Sequence, residues 1–201
     1  MNRWIAPIGE VLSGIATQGE TKRLLLHCCC APCASYVLEY LSPFFKITAL
    51  FFNPNITPRI EHEKRFSEMK KLLARAEYPN LVDLIGTEYA PLLFEDVTKR
   101  FREEPEGGRR CRACFELRLK ETAVRAKSFG FDYFTTTLSV SPHKDAALLS
   151  DLGGEYALMF GCDYLHSDFK KKDGYKRSVE LSKLYGLYRQ DYCGCTLNGA
   201  S

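Results

Sequence analysis

Eight of the nine cysteines of this chain fall into three tight groups: Cys28, Cys29, Cys30 and Cys33, then Cys111 and Cys114, then Cys193 and Cys195. Thiolates bind zinc and iron–sulfur clusters, and they carry out disulfide exchange. Cys111 and Cys114 stand three apart at the start of a helical stretch, so both leave one face, and helix amides with Arg109, Arg110 and Arg112 favour their thiolates. Adjacent Cys29 and Cys30 can reach one centre if the chain turns sharply between them, as it must on leaving a strand. Four thiolates from two remote pairs suit a structural zinc or a [4Fe-4S] cluster, and spacing alone does not separate the two. Cys33, Cys193 and Cys195 are thiols beyond four, and that excess at a ligand-binding rim favours electron chemistry and iron–sulfur over zinc.

Other readings of the same residues stay open. Cys30-Ala31-Pro32-Cys33 is also the pattern of a thioredoxin-like dithiol, which would leave Cys29, Cys111 and Cys114 without a role. Cys193-Gly194-Cys195 can close a small, easily reduced disulfide ring or chelate a metal through both sulfurs. Cys28, at the end of an apolar run, and the isolated Cys162 read as buried small hydrophobes.

The elements that must position these thiols alternate along the chain. An arm or short helix runs to about Thr21. Leu24 to Cys29 is a continuous apolar run suited to a strand buried on both faces, and Ala34 to Leu41 has helical character. Strands follow over Ile47 to Phe52, Leu81 to Ile85 and Tyr133 to Leu138, with helices over Ile60 to Ala76, Ala90 to Phe101, Cys111 to Ser128 and His143 to Phe160. This alternation implies an α/β fold: a doubly wound, mostly parallel, Rossmann-like sheet with helices on both faces and the metal site at the carboxyl ends of the strands. No linker or repeat divides the chain, so residues 1 to 201 read as a single domain with an N-terminal arm and a C-terminal Cys-Gly-Cys segment. The same rim receives His143, Lys144 and Asp145, each a candidate acid or else a surface residue or helix cap.

With 45% hydrophobic and 26% charged residues, the composition is that of a globular protein. No apolar run has the length of a membrane span, and the first ten residues are broken by Pro7, Gly9 and Glu10 before a signal-like core develops. The expected compartment is the reducing cytoplasm, where the nine cysteines are not a disulfide framework. A net charge of +3 does not by itself imply a polyanion partner, but Arg109, Arg110, Arg112 and the run Lys170, Lys171, Lys172 are local candidates for RNA contact. An ATP-dependent tRNA-modifying enzyme would need a glycine- and serine-rich phosphate loop after the first strand, where the cysteines stand instead. A zinc-stabilised RNA-binding module is a further alternative.

Five motifs in order carry a resemblance: His27-Cys28-Cys29-Cys30-Ala31-Pro32-Cys33; Phe52-Asn53-Pro54-Asn55-Ile56 with Glu61 and Arg65; Cys111-Arg112-Ala113-Cys114; the run from Thr135 to Lys144; and Tyr192-Cys193-Gly194-Cys195. Spanning about residues 23 to 196, they resemble the cobalamin-independent epoxyqueuosine reductases, the QueH family. The resemblance implies reduction of an epoxide to an alkene on the modified wobble base of a tRNA anticodon, with electrons from an unidentified donor. It also implies that Cys29, Cys30, Cys111 and Cys114 bind a [4Fe-4S] cluster, that Cys193 and Cys195 are a redox-active pair, and that a further iron lies next to the cluster. Cys33, one helical turn after Cys30, is expected to join Cys193 and Cys195 close to the cluster, holding that iron or passing electrons. Cys28 is a departure from the family's pattern.

Overall fold

The computed structural model describes residues 7–19 and 21–195. Five parallel strands form one sheet in the order β3-β2-β1-β4-β5: β1 (Lys22–His27), β2 (Phe45–Phe51), β3 (Val82–Gly86), β4 (Tyr133–Thr136) and β5 (Asp163–Tyr164). The apolar run predicted as a doubly buried strand is the central one, hydrogen-bonded to β2 on one side and β4 on the other.

Side-chain alternation along β1 divides the core in two. Leu24 and Leu26 join a cluster with residues of α1 (Ile8–Gln18), α2 (Ala31–Leu41) and α3 (Arg59–Arg75). Leu25 points the other way, into a cluster with α5 (Arg109–Ser128) and α6 (Ala146–Phe160). The sheet is therefore covered on both faces, as expected for a parallel sheet. Cys28 and Cys162 lie within these two clusters, as apolar residues would.

The differences from the sequence-based elements have local causes. The stretch over residues 90 to 101 divides into α4 (Pro91–Thr98) and a 3-10 turn at Lys99–Phe101. Strand β4 ends at Thr136, whose hydroxyl oxygen accepts the Leu138 amide and starts a 3-10 turn over Thr137–Val140. Helix α6 begins at Ala146, not His143, because the Asp145 carboxylate accepts the amides of Ala147 (2.9 Å) and Leu148 (3.1 Å). Two elements carried no readable pattern: β5 has two residues, and α7 (Gly174–Leu184) buries Gly174, Ser178, Leu181 and Ser182, a face too small and polar to stand out. Among the described residues, no helix is long and apolar enough to cross a membrane.

Candidate metal and redox site

Strand order reverses between β1 and β4, and in open parallel sheets the crevice outside the carboxyl ends at that switch is the ligand site. The segments that follow β1, β2 and β4 meet there around a cleft of about 430 Å³, whose walls include Cys29, Cys30, Cys33, Asn55, His143 and Lys144.

The first thiol group is made by the exit from β1. Cys30 is the N-cap of α2 in extended conformation, so the chain turns from strand to helix at the cysteine doublet, and Cys33 follows one turn later. The Sγ atoms of Cys29, Cys30 and Cys33 all lie within 4.8 Å of one another. Those of Cys29 and Cys30 are 3.7 Å apart, the edge of a thiolate tetrahedron with metal–sulfur distances of about 2.3 Å. The trio is thus a group able to bind a metal. Thiol hydrogen bonds from Cys30 and Cys33, with a further one from Thr137, hold Cys29 well below the ordinary thiol range against the effect of burial. Hydrogen bonding to Cys29 pushes Cys30 and Cys33 up, the direction opposite to that of Cys29.

Cys111 and Cys114 are not part of that trio. With Cys193 and Cys195 they line an adjoining cavity, walled also by Phe94 and Phe115. The Cys111 sulfur accepts the Gly107 amide at 3.2 Å. The expectation that the helix start favours a thiolate fails for Cys114, whose burial pushes it up to about 11. Cys193 behaves in the opposite way. The Cys195 thiol bonds to it, and with Lys144 (Nζ 3.5 Å away) and Arg118 this outweighs burial and brings it down to about 5, while Cys195 is pushed up. All nine cysteines are free thiols.

Cys193, Lys144 and Arg118 line both spaces and so connect the two thiol groups. Arg118 is a residue that sequence reasoning missed. It is 1% exposed, donates Nε–H to the Cys114 carbonyl at 3.2 Å, and acts electrostatically on Cys114, Cys193 and Cys29. A charged residue in the middle of a helix normally faces solvent, and nothing in the sequence marks this one as buried.

A strap brings the third cysteine group into place. After α7 the chain crosses α3, where Glu68 accepts the Tyr188 amide at 2.7 Å and Arg75 donates to the Tyr185 carbonyl at 2.6 Å. Arg65, 2% exposed and paired with Glu61 at 2.6 Å, donates to the carbonyls of Cys193 (3.0 Å) and Tyr192 (3.4 Å). Thr57 N–H bonds to the Gly194 carbonyl at 2.9 Å. Gly194 has φ +105°, and a Cβ there would lie 3.1 Å from Arg65 and 3.2 Å from Ile56, so glycine is needed both for conformation and for space.

Of the candidate acids, His143 and Lys144 line the cleft, whereas Asp145 is the α6 cap. Lys144 is paired with Glu106 at 3.0 Å. Of the three arginines beside Cys111, Arg109 and Arg112 stay on the surface and Arg110 does not. Arg110 is buried against the thiol cavity, Arg109 pairs with Glu104, and Arg112 pairs with Glu116.

A family model described as epoxyqueuosine reductase QueH matches residues 24–200. The chain is 44% identical over 174 residues to the epoxyqueuosine reductase QueH of Streptococcus pyogenes serotype M1, covering 86% of this chain and 68% of that protein. It is 41% identical to the protein of that name from Staphylococcus epidermidis, covering 92% and 80%. To the one from Thermotoga maritima it is 32% identical, covering 87% and 89%. A match over nearly the whole sheet and all three cysteine groups shows that this chain belongs to the epoxyqueuosine reductase QueH family.

Proposed function

We propose that this chain reduces epoxyqueuosine to queuosine at the wobble position of tRNA, in the cytoplasm. The observation that carries this reading is the meeting of two thiol groups at the sheet's switch point, joined through Cys193, Lys144 and Arg118, in a chain of this family. In the reaction both C–O bonds of the epoxide break, a C=C bond forms between the two ring carbons, and two electrons and two protons carry the oxygen away as water.

Buried thiols are the donor set that iron–sulfur groups use, and the close trio fits such a ligand field. Cys29, Cys30, Cys111 and Cys114 are the proposed ligands of a [4Fe-4S] cluster. Cys33, Cys193 and Cys195 are the proposed ligands of a further iron or, for the last two, a dithiol. The close approach of Cys33 to Cys29 and Cys30 makes it a candidate for the cluster itself. When bound, such a group supplies single electrons and a Lewis-acidic iron.

The chain's own side chains supply charge and protons. Burial acts against the Lys144 ammonium, but the Cys193 sulfur and the Glu106 carboxylate outweigh it, so Lys144 holds its proton above the ordinary lysine range at the cleft wall. Arg118 balances the negative charge of the neighbouring sulfurs without offering a proton at neutral pH.

The test is anaerobic: iron-loaded protein, a chemical reductant and tRNA bearing epoxyqueuosine, with nucleosides analysed by mass spectrometry. Loss of one oxygen from the modified nucleoside is expected. Unchanged epoxyqueuosine with iron-loaded protein would overturn the reading. The 3.7 Å sulfur separation also suits zinc, so metal analysis is part of the test: about four iron and four sulfide per chain support the cluster, and one tightly held zinc excludes it.

A further inference from the structure

A second cleft of about 430 Å³ opens on the same edge of the sheet, in the segment that follows β5. Helix α2 links it to the first: Cys33 lines the thiol cleft, and Tyr36 and Tyr40, three and seven residues further on, line the second. Residues at that spacing share one helix face, with Cβ atoms about 5–6 Å apart for the first pair. The loop before α6 forms a second link, because Lys144 lines the thiol cleft, Ala146 and Ser150 line the other, and Lys170 donates to the Lys144 carbonyl at 3.4 Å.

The walls of this cleft are aromatic and its mouth is cationic. Tyr36 and Tyr40 are half-buried with rings 6.0 Å apart and nearly parallel, and Phe169 meets Tyr40 edge-on. Gly174 keeps the adjacent turn close, since a Cβ there would overlap the Tyr36 ring. Asp168 is the acid in the lining, paired with Lys170 at 2.9 Å and with Lys171 at 3.9 Å. Lys171 and Lys172 remain exposed at the rim. Lys172 and Asp173 have φ of +51° and +61°, two successive non-glycine residues in the left-handed region, a conformation concentrated at ligand clamps.

Aromatic faces beside exposed lysines form the pattern that binds single-stranded nucleic acid, with bases on the rings and phosphates on the cations. We propose that this second cleft takes a nucleotide adjacent to the modified one in the anticodon loop, its base against Tyr36 and Tyr40 and its phosphate at Lys171 and Lys172. The inference rests on the proposed tRNA substrate and deepens it: the thiol cleft takes the modified base while the tyrosine cleft fixes the strand. A small apolar ligand would have no use for the two ammonium groups at the rim.

The probe is an anticodon stem-loop carrying 2-aminopurine at either position flanking the wobble base, titrated into the full chain. Stacking on tyrosine is expected to quench one of the two labels. Tyr40→Leu should abolish the quench and weaken binding at least about fivefold, whereas Tyr40→Phe, which keeps the ring, should retain both. The double variant Lys171→Glu and Lys172→Glu, on the surface and outside any packed core, should weaken binding and lower the slope of log affinity against log salt by about 0.7 for each phosphate that is no longer neutralised. Iron content should stay unchanged in all three variants.

Binding without quench at either position, or equal affinity in the Tyr40→Leu and lysine variants, would overturn the assignment. A wild-type chain that does not bind the stem-loop overturns both this inference and the proposed substrate. Tight binding with quench but no reduction of epoxyqueuosine supports the cleft and overturns only the proposed reaction.

Discussion

At the scale of single residues, the site sorts its thiols by their surroundings. Two cysteines with the same intrinsic chemistry end far apart: Cys114, with burial dominant, at about 11, and Cys193, bonded by Cys195 and facing Lys144 and Arg118, at about 5. In metal-free protein, alkylation of Cys193 should therefore stay fast from about pH 9 down to about pH 6 and fall only as pH approaches 5. Cys114 should react only in strong base. Arg118→Met removes one of the two cations and should move the Cys193 fall-off to higher pH, read by mass spectrometry of the alkylated peptide. For metal binding, Ser replacing Cys29, Cys30 or Cys33 should each lower bound iron in anaerobically prepared protein. Full iron in Cys33→Ser would remove that residue from the ligand set.

Elements carry the next set of constraints, because the site is held by what crosses between them. His27, at the end of β1, is completely buried; its Nε2–H donates to the Phe52 carbonyl (3.1 Å) and its Nδ1 accepts from the Thr136 hydroxyl (2.8 Å), which leaves Thr136 free to accept the Leu138 amide. One neutral ring thus ties the ends of β1, β2 and β4 together. Burial, with Arg118 adding to it, lowers His27 from 6.5 to about 4. Between those values the unfolded chain binds the proton and the folded one does not, so this contribution to stability is complete above about pH 6.5 and declines toward pH 4. Between pH 7 and pH 5 the loss should be about 2 kcal/mol in urea unfolding, and it should largely vanish in His27→Gln.

The strap across α3 makes a second test at this scale. Arg65→Met strands Glu61 without its cation in a buried position, which costs about 3–5 kcal/mol, and releases the carbonyls of Tyr192 and Cys193. Gly194→Val should displace Cys193, so that the alkylation profile of that thiol returns toward an ordinary cysteine. It should also lower the unfolding midpoint through strain at Gly194 and the lost Arg65 and Thr57 contacts to the strap.

At the scale of the whole molecule, two clefts lie along one edge of the sheet, one lined by thiols and one by tyrosines, with lysines at the rim of the second. Such an arrangement suits a substrate larger than a nucleoside. Affinity for tRNA should therefore fall steeply with salt, as phosphate contacts release counterions. A filter-binding series at rising salt would measure it, and a flat response would show that the basic residues do not meet the RNA backbone.

The β/α alternation, the central β1 and the three cysteine groups were legible in the amino-acid order, because apolar periodicity and thiol spacing are local signals that survive without the fold. That Cys33 faces the same rim as Cys30 was legible for the same reason, one helical turn, whereas its grouping with Cys29 and Cys30 as a close trio came from the structure. The remaining features depend on long-range packing. Arg118 is buried among sulfurs because α5 packs against β1 and β4 on one face of the sheet, and no spacing rule marks a helix arginine as interior. Asp145 reads from the sequence either as a rim acid or as a helix cap, and only the folded chain decides for the cap, with two amides at the start of α6 bound to its carboxylate. Cys193 and Cys195 are remote in sequence from the other two groups, and they reach the site because Arg65 and Thr57 hold their backbone, an arrangement that local sequence does not encode.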